Sequence, residues 1–326
     1  MNTPRRIPVY TDMAIFSGRA HPVLAESVCT HLEMPLGNCE IFEFSNENIF
    51  VRIKENVRQR DVFLIQSLCS PVNTSVMELL IMIDAFRRAS AGRITAVVPY
   101  FAYGRSDKKD QPRVPITARL LANLIETAGA DRVLTLDLHA SQIQGFFNIP
   151  VDELTAMSHI VEHFKKRDLS NVTILATDVG GEKRARNAAR RLGTPLAIVL
   201  KERIGNEERV QAQNLIGDVE GRDIIIIDDE IDTGGTILSA AHIALSHGAR
   251  STTVACIHPI LSGSAVQRLC DTDDIDEMVV TDTIPLPAEK QHKKITVLPL
   301  SPLLGEAISR IHSGRSVGGL FGDSKL

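Results

Sequence analysis

The sequence predicts an α/β protein with largely parallel sheets, and three features support this prediction. Short apolar runs rich in β-branched residues alternate with amphipathic helical stretches along the chain. The segment Asp223–Thr236 places four consecutive isoleucines before a small-residue turn, which is typical of a parallel strand buried on both faces. A similar segment, Arg60–Gln66, precedes it by about half the chain.

Each predicted strand is a short, mostly apolar run that is often rich in β-branched residues. The predicted strands are Val62–Gln66, Ile94–Pro99, Val133–Asp137, Val172–Ala176, Leu196–Val199, Ile224–Ile227, Thr253–Ile257 and Glu277–Thr281. Each predicted helix repeats apolar residues at spacings of three and four. The predicted helices are Met77–Ser90, Ile116–Ala128, Lys183–Leu192 and Ile237–His247.

The two similar segments predict an internal duplication. Arg60–Gln66 and Arg222–Asp228 both read Arg-Asp followed by four apolar residues, and a turn and a helix follow in each case. We interpret them as two copies of one α/β domain, covering residues 1–153 and 154–326. A chance likeness of two generic strand–helix–strand units is the alternative. Only the second copy ends its strand on an acidic pair, Asp228-Asp229, where the first has Gln66-Ser67.

The composition narrows the class of protein. With 326 residues, 44% of them hydrophobic, and a net charge of -4, the chain is typical of a globular protein and not of one built to coat nucleic acid or a membrane. No apolar stretch is long enough to span a bilayer, and the N-terminus lacks the apolar core of a signal peptide. The cysteines form no C-x-x-C pair, which indicates reduced thiols in a cytoplasmic protein.

The segment from Asp228 to Thr236 has the layout of a phosphate site at the start of a helix. Backbone N–H groups and the helix dipole bind phosphate there, and glycine lets the backbone come close. The carboxylates suit sugar hydroxyls or a divalent cation. The segment therefore predicts a phosphorylated sugar and Mg²⁺, whereas a solvated acidic strand end is the alternative. The residues involved are Asp228, Asp229, Asp232, Thr233, Gly234, Gly235 and Thr236.

Four other features leave more than one interpretation open. The charged stretch Lys201–Gln213 is expected to be mobile, either as a surface connection or as a lid that closes on phosphate charge. His139 ends a strand and is either structural or a ligand. Asp178 repeats the strand, acid, glycine and helix order in weaker form. The basic loop Tyr100–Arg113 is either a solvated charge run or an anion site, and no P-loop motif occurs in the chain.

Taken together, these motifs resemble the ribose-phosphate diphosphokinases, or phosphoribosyl diphosphate (PRPP) synthases, of the phosphate-regulated class. The likeness covers nearly the whole chain. The motif Asp228–Thr236 is, taken by itself, shared with phosphoribosyltransferases, whereas the whole set is specific to the synthases. The motifs are Asn73–Leu80, Arg87–Tyr100, Asp137–Phe147, Lys201-Glu202-Arg203, Gly217–Val219 and Asp228–Thr236.

The resemblance implies two tandem phosphoribosyltransferase-like domains and a diphosphoryl transfer. The β,γ-diphosphoryl group of Mg·ATP would move to O1 of ribose 5-phosphate, which Asp228–Thr236 would hold. The ATP side would lie in the N-terminal domain, and the sugar site and catalytic loop in the C-terminal domain. Lys201 and Arg203 match the catalytic lid residues, while His139 and Asp178 match positions near the metal and the ATP phosphates.

The resemblance also implies an ATP site, with local departures from the family pattern. The family's F-S-D-G-E appears as Phe44-Ser45-Asn46-Glu47-Asn48, so Asn48 replaces an acid. The usual Arg-Gln-Asp appears as Arg105-Ser106-Asp107. Four residues match positions of a phosphate and ADP regulatory site, which is expected to be weakened: Arg58, Ser141, Gln144 and Ser316.

Three functions remain open at this level. An active PRPP synthase, assembled as a homo-oligomer such as the family's ring-like hexamer of dimers, agrees with the intact Lys201 and Arg203. A phosphoribosyltransferase would use the same acidic turn, but the duplication and the ATP-side residues argue against it. A non-catalytic relative that associates with active synthase subunits would be expected to carry an altered catalytic loop.

Overall fold

The computed structural model describes residues 12–201 and 213–321. The chain forms two compact units. The first comprises Met1–Thr155 together with Ser301–Leu326, and the second comprises Ala156–Leu300.

The first unit is built on a five-stranded parallel sheet. Its strands are β1 (Met13–Ser17), β4 (Asp61–Ile65), β5 (Arg93–Val98), β6 (Arg132–Leu136) and β7 (Val151–Leu154), in the order β1-β4-β5-β6-β7. A separate antiparallel hairpin consists of β2 (Cys39–Glu43) and β3 (Ile49–Ile53). The helices are α1 (Pro22–His31), α2 (Val72–Arg88), α3 (Thr117–Ala128) and α8 (Ser301–His312), and a 3-10 helix spans Ser141–Phe146.

The core of the first unit follows from the helical and strand periods of the sequence. Every residue of β4 is buried, as expected for a central parallel strand. Helix α2 buries Leu79, Met82, Ile83 and Phe86, which recur at spacings of three and four along one stripe. The Phe86 ring packs 4.7 Å, centroid to centroid, from Phe16 of β1.

The second unit contains a seven-stranded sheet. Its strands are β8 (Val172–Ala176), β9 (Leu196–Lys201), β10 (Gln213–Ile216), β11 (Asp223–Ile231), β12 (Ser251–Pro259), β13 (Glu277–Thr281) and β14 (Ile295–Leu298). Their order is β10-β9-β8-β11-β12-β13-β14, and only the β10–β9 pairing is antiparallel. The helices are α4 (Met157–Phe164), α5 (Glu182–Leu192), α6 (Gly235–Ser246) and α7 (Ala265–Cys270).

The two units tie neighbouring strands together in a similar way, while the predicted duplication itself stays a prediction. In the first unit, Arg93 at the start of β5 donates from Nε to Asp61 Oδ1 of β4 at 2.8 Å. In the second unit, Arg250 just before β12 donates from Nε to Asp223 Oδ1 of β11 at 2.7 Å. The same Asp–Arg pair therefore fixes the start of two adjacent parallel strands in each unit.

The predicted α/β class with largely parallel sheets is confirmed, and all the predicted strands and helices are present. Val172–Ala176 and Glu277–Thr281 coincide with β8 and β13, whereas β11 continues past the predicted end at Ile227 to Ile231. The hairpin β2–β3, the strands β1, β7, β10 and β14, and the helices α1, α4, α7 and α8 were not predicted.

The compact units differ from the predicted domains 1–153 and 154–326 at the C-terminus. Helix α8 belongs to the first unit, where it packs on α1. A Cβ atom at Gly305 would lie 2.6 Å from His31 Cδ2, so glycine permits this close approach. His312 Nδ1 lies 2.9 Å from Asp61 Oδ2, and the Ile311 carbonyl accepts from Arg93 Nη2 at 3.1 Å.

All five cysteines are free in this structure, and their reduced state stays a prediction. Within residues 12–201 and 213–321, none of the helices combines the length and the apolar character that crossing a membrane requires. The cytoplasmic location stays a prediction.

We expect His312→Ala to loosen α8. Asp61 is fully buried and its Oδ2 lies 2.9 Å from His312 Nδ1. A carboxylate can only accept, so we assign the proton to His312 Nδ1, and a hydrogen bond to a charged group contributes about 1.5–3 kcal/mol. Hydrogen exchange of the α8 amides and the urea midpoint report the loss. The control is His242→Ala, which removes an exposed imidazole 3.2 Å from Asp274 and should change stability little. Equal effects of both variants would contradict the assignment.

Candidate active site

The carboxyl ends of neighbouring strands in the second unit gather the predicted sugar-site residues. Strand β11 lies between β8 and β12, with Ile227 opposite Ala176 and Asp228 opposite Cys256. Because these strands are parallel, Thr177 and Asp178, which follow β8, lie at the same edge as Asp228 and Asp229. Asp228 is half-buried and Asp229 is buried.

Asp228 is held in an environment that disfavours its charge. Thr177 Oγ1 donates to Asp228 Oδ2 at 3.2 Å, and the Asp229 backbone N–H donates to Asp228 Oδ1 at 2.9 Å. Burial, followed by the neighbouring Asp229 carboxylate, raises the pKa of Asp228 from 3.8 to about 7, while Arg184 opposes the shift. Hydroxyl donors or a cation placed beside Asp228 would favour its ionised form.

Arg184 of α5 supplies a cation that the sequence did not assign to this site. Its Nη1 lies 3.2 Å from Asp229 Oδ1, and the Asp229 side chain is only 8% exposed. Arg184 lies two residues after the start of α5, in a helix that carries several other basic residues. Its pairing with a residue far along the chain carries no local signal. Thr177 was missed for the same reason.

The turn after β11 leaves the start of α6 exposed to solvent. Gly234 adopts φ of 79°, and α6 begins at Gly235 with no side-chain hydrogen bond capping it. The N–H groups of a first helical turn have no partner within the helix, so they point toward whatever lies at that end. Thr233, Gly235 and Thr236 are exposed, as a ligand-binding turn requires.

Helix α7 supports this turn from below. A Cβ atom at Gly234 would lie 2.8 Å from Leu269 Cδ1, and Leu269 is fully buried. The Asp232 carbonyl accepts from the Ser262 N–H at 3.0 Å, and the Thr233 carbonyl accepts from Arg268 Nη1 at 3.4 Å. Glycine at position 234 therefore serves both a left-handed backbone and a close approach.

Asp178 organises the turn between β8 and α5. Its Oδ1 accepts from the Gly181 N–H at 3.0 Å, just before α5 begins. Asp178 is half-buried, and Gly180 beside it is exposed. The carboxylate thus stabilises the start of the helix that carries Arg184. Its predicted role near a metal stays a prediction.

In the first unit, the predicted ATP-side residues after β6 and β5 come together. His139 is exposed, and a Cβ atom at Gly104 would lie 3.3 Å from His139 Cβ, so the loop 100–113 lies against it. Asp107 is buried, and its Oδ2 accepts from Gln142 Nε2 at 3.0 Å, close after His139 in the chain. Arg105 is exposed on the same loop.

Ser106 has a structural role in this loop. Its Oγ accepts from the Thr117 N–H at 3.3 Å, and its carbonyl accepts from the Ala118 N–H at 3.2 Å. Ser106 therefore satisfies N–H groups at the start of α3. Its predicted contact with a nucleotide stays a prediction.

The predicted adenine-contacting segment forms the tip of the hairpin β2–β3. The Phe44 N–H donates to the Asn48 carbonyl at 2.9 Å, and Asn46 Oδ1 accepts from the Asn48 N–H at 3.3 Å. The Phe44 ring is 50% exposed and packs edge-on against Phe42 at 5.1 Å between centroids. Because the Phe44 ring is exposed and is supported by Phe42, it suits stacking by a planar ligand.

Comparisons with known proteins agree with this geometry. Residues 13–129 match the N-terminal domain of ribose phosphate pyrophosphokinase, and residues 206–322 match the phosphoribosyl synthetase-associated domain. A ribose-phosphate pyrophosphokinase of Oceanobacillus iheyensis is 47% identical over 95% of this chain and 98% of the relative. One of Agrobacterium fabrum is 50% identical over 95% of this chain and 100% of the relative.

This chain belongs to the ribose-phosphate pyrophosphokinase family. The predicted family is thereby confirmed, and with it the prediction of an enzyme of that family. The crystal structure of phosphoribosylpyrophosphate synthetase from Mycobacterium smegmatis is 40% identical, covers 93% of this chain and 100% of that chain, and superimposes with a TM-score of 0.89. The phosphoribosyltransferase-like fold class predicted from the sequence is likewise confirmed.

Two predicted catalytic residues of this pyrophosphokinase chain are described in part or not at all. The backbone of Lys201 ends β9, while its side chain lies outside what the structure describes. Arg203 lies outside the described residues. Their catalytic roles stay predictions, as does the lid interpretation of Lys201–Gln213.

The predicted regulatory residues have different partners. Ser141 Oγ donates to Glu153 Oε1 at 3.4 Å, and Gln144 Nε2 donates to Glu153 Oε2. Arg58 Nη1 donates to Ser90 Oγ at 3.2 Å, and Ser316 Oγ accepts from the Gly318 N–H at 3.1 Å. The structure thus brings Ser141 and Gln144 together on one carboxylate that sequence reasoning did not consider.

The acidic pair of β11 fits a magnesium ion that arrives with substrate phosphates. Mg²⁺ is usually held by one or two carboxylates together with water and phosphate oxygens. Asp228 and Asp229 supply two carboxylates, and burial disfavours the charge of Asp228, a cost that a nearby cation would offset. In the part of the chain that the structure describes, no group of three or more acidic, His or Cys side chains could hold a metal ion alone.

We expect Gly234→Ala to disrupt the turn before α6. The added Cβ would meet Leu269 while the residue keeps a left-handed backbone, which together should cost about 1–3 kcal/mol. Urea unfolding of the variant measures this loss. Gly145→Ala is the control, because nothing lies within 4 Å of its Cβ position. If Leu269 causes the clash, the double variant with Leu269→Ala should lose less than the sum of the single variants.

Proposed function

We propose that this chain transfers the β,γ-diphosphoryl group of Mg·ATP to O1 of ribose 5-phosphate, giving PRPP and AMP. One observation carries the proposal within the family. The second unit joins an acidic pair, half-buried Asp228 and buried Asp229, to an exposed start of helix α6 that has no side-chain cap. The acidic pair suits sugar hydroxyls and the start of α6 suits a phosphate. The two together therefore match a sugar phosphate and not a phosphate alone.

The acceptor half of the reaction is positioned by the chain's own groups. The N–H groups at the start of α6 hold the 5-phosphate, and Thr233 and Thr236 add hydroxyl donors. The carboxylates of Asp228 and Asp229 accept from the ring hydroxyls. Arg184 and Thr177, bonded to these carboxylates at 3.2 Å each, fix their orientation.

The donor half uses the first unit. The exposed Phe44 ring stacks on the adenine, with Asn46 and Asn48 at the base edge. Arg105 and His139 bind the ATP phosphates from adjacent loops. The contact of Gly104 with His139 supports this arrangement, because it places both loops beside one another.

In the transfer, a bond forms between ribose O1 and the β-phosphorus while the bond from that phosphorus to the α,β-bridging oxygen breaks. AMP leaves with the bridging oxygen, and the O1 proton is released. Lys201 and Arg203 stabilise the charge that develops on the moving phosphates. Mg²⁺ supplies charge neutralisation when it is bound to ATP.

The test is a discontinuous assay of ATP, ribose 5-phosphate and Mg²⁺ with separation of AMP and PRPP. Equal amounts of both products are expected. Lys201→Ala should lower kcat at least a hundredfold while the affinity for ribose 5-phosphate survives, because its role is confined to the transition state. Absence of both products with a panel of nucleotides would refute the proposal and favour a non-catalytic relative.

Binding of ribose 5-phosphate should strengthen as the pH rises from 6 to 8. Asp228 has a pKa of about 7, and its ionised form accepts from hydroxyls on both oxygens and more strongly than the protonated form. Calorimetric titration at several pH values measures the trend. Asp228→Asn is the control, since the residual slope of this variant belongs to the phosphate group of the ligand, which also titrates near pH 6.

The same shift predicts the opposite trend for stability. A carboxyl whose pKa is higher in the folded state stabilises the fold at acid pH, and this contribution is lost as the pH rises from about 4 through 7. Asp228→Asn should therefore unfold at higher urea than the parent at pH 8 and lose that advantage at pH 4. For the binding prediction, Asp228 would be ruled out as the titrating group if Asp228→Asn bound ribose 5-phosphate with the same pH dependence as the wild type.

A further inference from the structure

The carboxylate of Glu153 is the focus of three hydrogen-bond donors in the first unit. Glu153 lies in β7. Its Oε1 accepts from the Leu138 N–H at 2.9 Å and from Ser141 Oγ at 3.4 Å, and its Oε2 accepts from Gln144 Nε2. A backbone N–H, a hydroxyl and a side-chain amide converging on one point form a donor set suited to an oxyanion.

All three donors belong to one short segment, which begins after β6 and enters the 3-10 helix Ser141–Phe146. Gln144 Nε2 also donates to the Ser141 carbonyl at 3.2 Å, so the donors are linked to one another. His139 lies between two of them in the chain. Any anion bound by these donors therefore fixes the backbone on both sides of His139.

The Glu153 carboxylate is partly desolvated where it meets these donors. The pKa of Glu153 is raised to about 7 in total: burial is the largest cause, the Asp137 carboxylate adds to it, and the three donors oppose it. The donors thus offset a cost that Glu153 meets because it is half-buried beside another acid. An external anion bound to the same donors would be desolvated in the same way and would also be repelled by the charge of Glu153.

We propose that Glu153 is a tethered anion that occupies an oxyanion site, so that the segment Leu138–Gln144 closes without an external ligand. Inorganic phosphate is then excluded from these donors in the wild-type chain. Removal of the Glu153 carboxylate exposes the donors and makes the segment dependent on a small oxyanion. The link to catalysis rests on the proposed function, because it assigns His139 to the ATP side, whereas the binding of an oxyanion does not.

The direct test compares Glu153→Ala with the wild type in thermal unfolding and calorimetric titration with inorganic phosphate and with acetate. Acetate replaces the deleted carboxylate, and phosphate presents more acceptor oxygens. The variant is expected to melt lower than the wild type and to recover on addition of either anion. Adding Gln144→Ala to Glu153→Ala should reduce the anion response at least fivefold, because the loss of Nε2 removes one donor.

Phosphate is also expected to bind the substrate sites, and Gln144 separates the two effects. In the wild type, the response to phosphate should be the same with and without Gln144→Ala. A wild-type response that requires Gln144 would show that the donors accept external phosphate beside Glu153 and would overturn the proposal. An equal response of wild type and Glu153→Ala to both anions would overturn it as well.

The matched control is Glu126→Ala. Glu126 is half-buried like Glu153 and also accepts two hydrogen bonds, from the Asn148 N–H and, at 2.9 Å, from Asn148 Nδ2, but Asn148 follows the segment Leu138–Gln144 and is not part of it. Its removal should create no anion response. A Glu126→Ala response equal to that of Glu153→Ala would show that loosening the neighbouring chain by any route suffices, and it would overturn the proposal.

The activity readout tests the link to His139. Without added anion, Glu153→Ala should raise the KM for ATP about tenfold with a smaller change in kcat, and acetate or phosphate should restore it. Glu153→Gln, which keeps the shape but not the charge, should be restored less, because the donors remain sterically covered. An unchanged KM for ATP in Glu153→Ala would refute the positioning role. If the wild type makes no PRPP, the proposed function is wrong. The anion titrations do not depend on that activity and still test whether Glu153 occupies the oxyanion site.

Discussion

Two adjacent carboxylates at the end of a buried strand are the constraint on which the second unit depends. Asp228 and Asp229 repel each other, and burial raises the cost of charging them. The surrounding groups offset this cost in part, through Thr177 on Asp228 and Arg184 on Asp229. The sheet supplies these partners because β8 ends beside β11, so Thr177 reaches Asp228, and α5 follows directly with Arg184. The remaining cost favours a ligand that donates hydroxyls or carries a cation.

The first unit uses the same frame and closes the equivalent edge with its own side chains. Gln66 stands where the second unit has Asp228, and its Oε1 accepts from the Ala20 N–H at 3.2 Å while its Nε2 donates to Glu78 at 3.1 Å. Glu78 is 2% exposed and also pairs with Arg19. A Cβ atom at Gly18 would lie 2.2 Å from Gln66 Oε1, so the amide packs directly on the β1 turn. The duplicated edge is filled rather than open.

The sequence predicts those features whose cause is local. Strand and helix periods locate the central elements, and the order of acid, glycine and helix locates the turn at Gly234. Edge elements escape because β2 and β3 are partly exposed and lack a continuous apolar run. Contacts made across a sheet escape for a different reason: Arg184–Asp229 and Gln144–Glu153 depend on which strands lie side by side. The place of α8 in the first unit depends likewise on Asp61, whose partner His312 is at the other end of the chain.

Asp228 and Glu153 show how one physical state can serve opposite purposes. Burial raises the pKa of each carboxyl to about 7. Around Glu153, donors from one segment surround both oxygens, so the side chain holds its own backbone in place. Around Asp228, Thr177 and the Asp229 N–H supply single contacts, and the strand ends at an exposed turn. A raised pKa therefore does not by itself distinguish a binding carboxylate from a structural one. The arrangement of the donors does, because three donors from one segment cover both oxygens of Glu153, whereas Asp228 lies beside an exposed turn where a ligand can reach it.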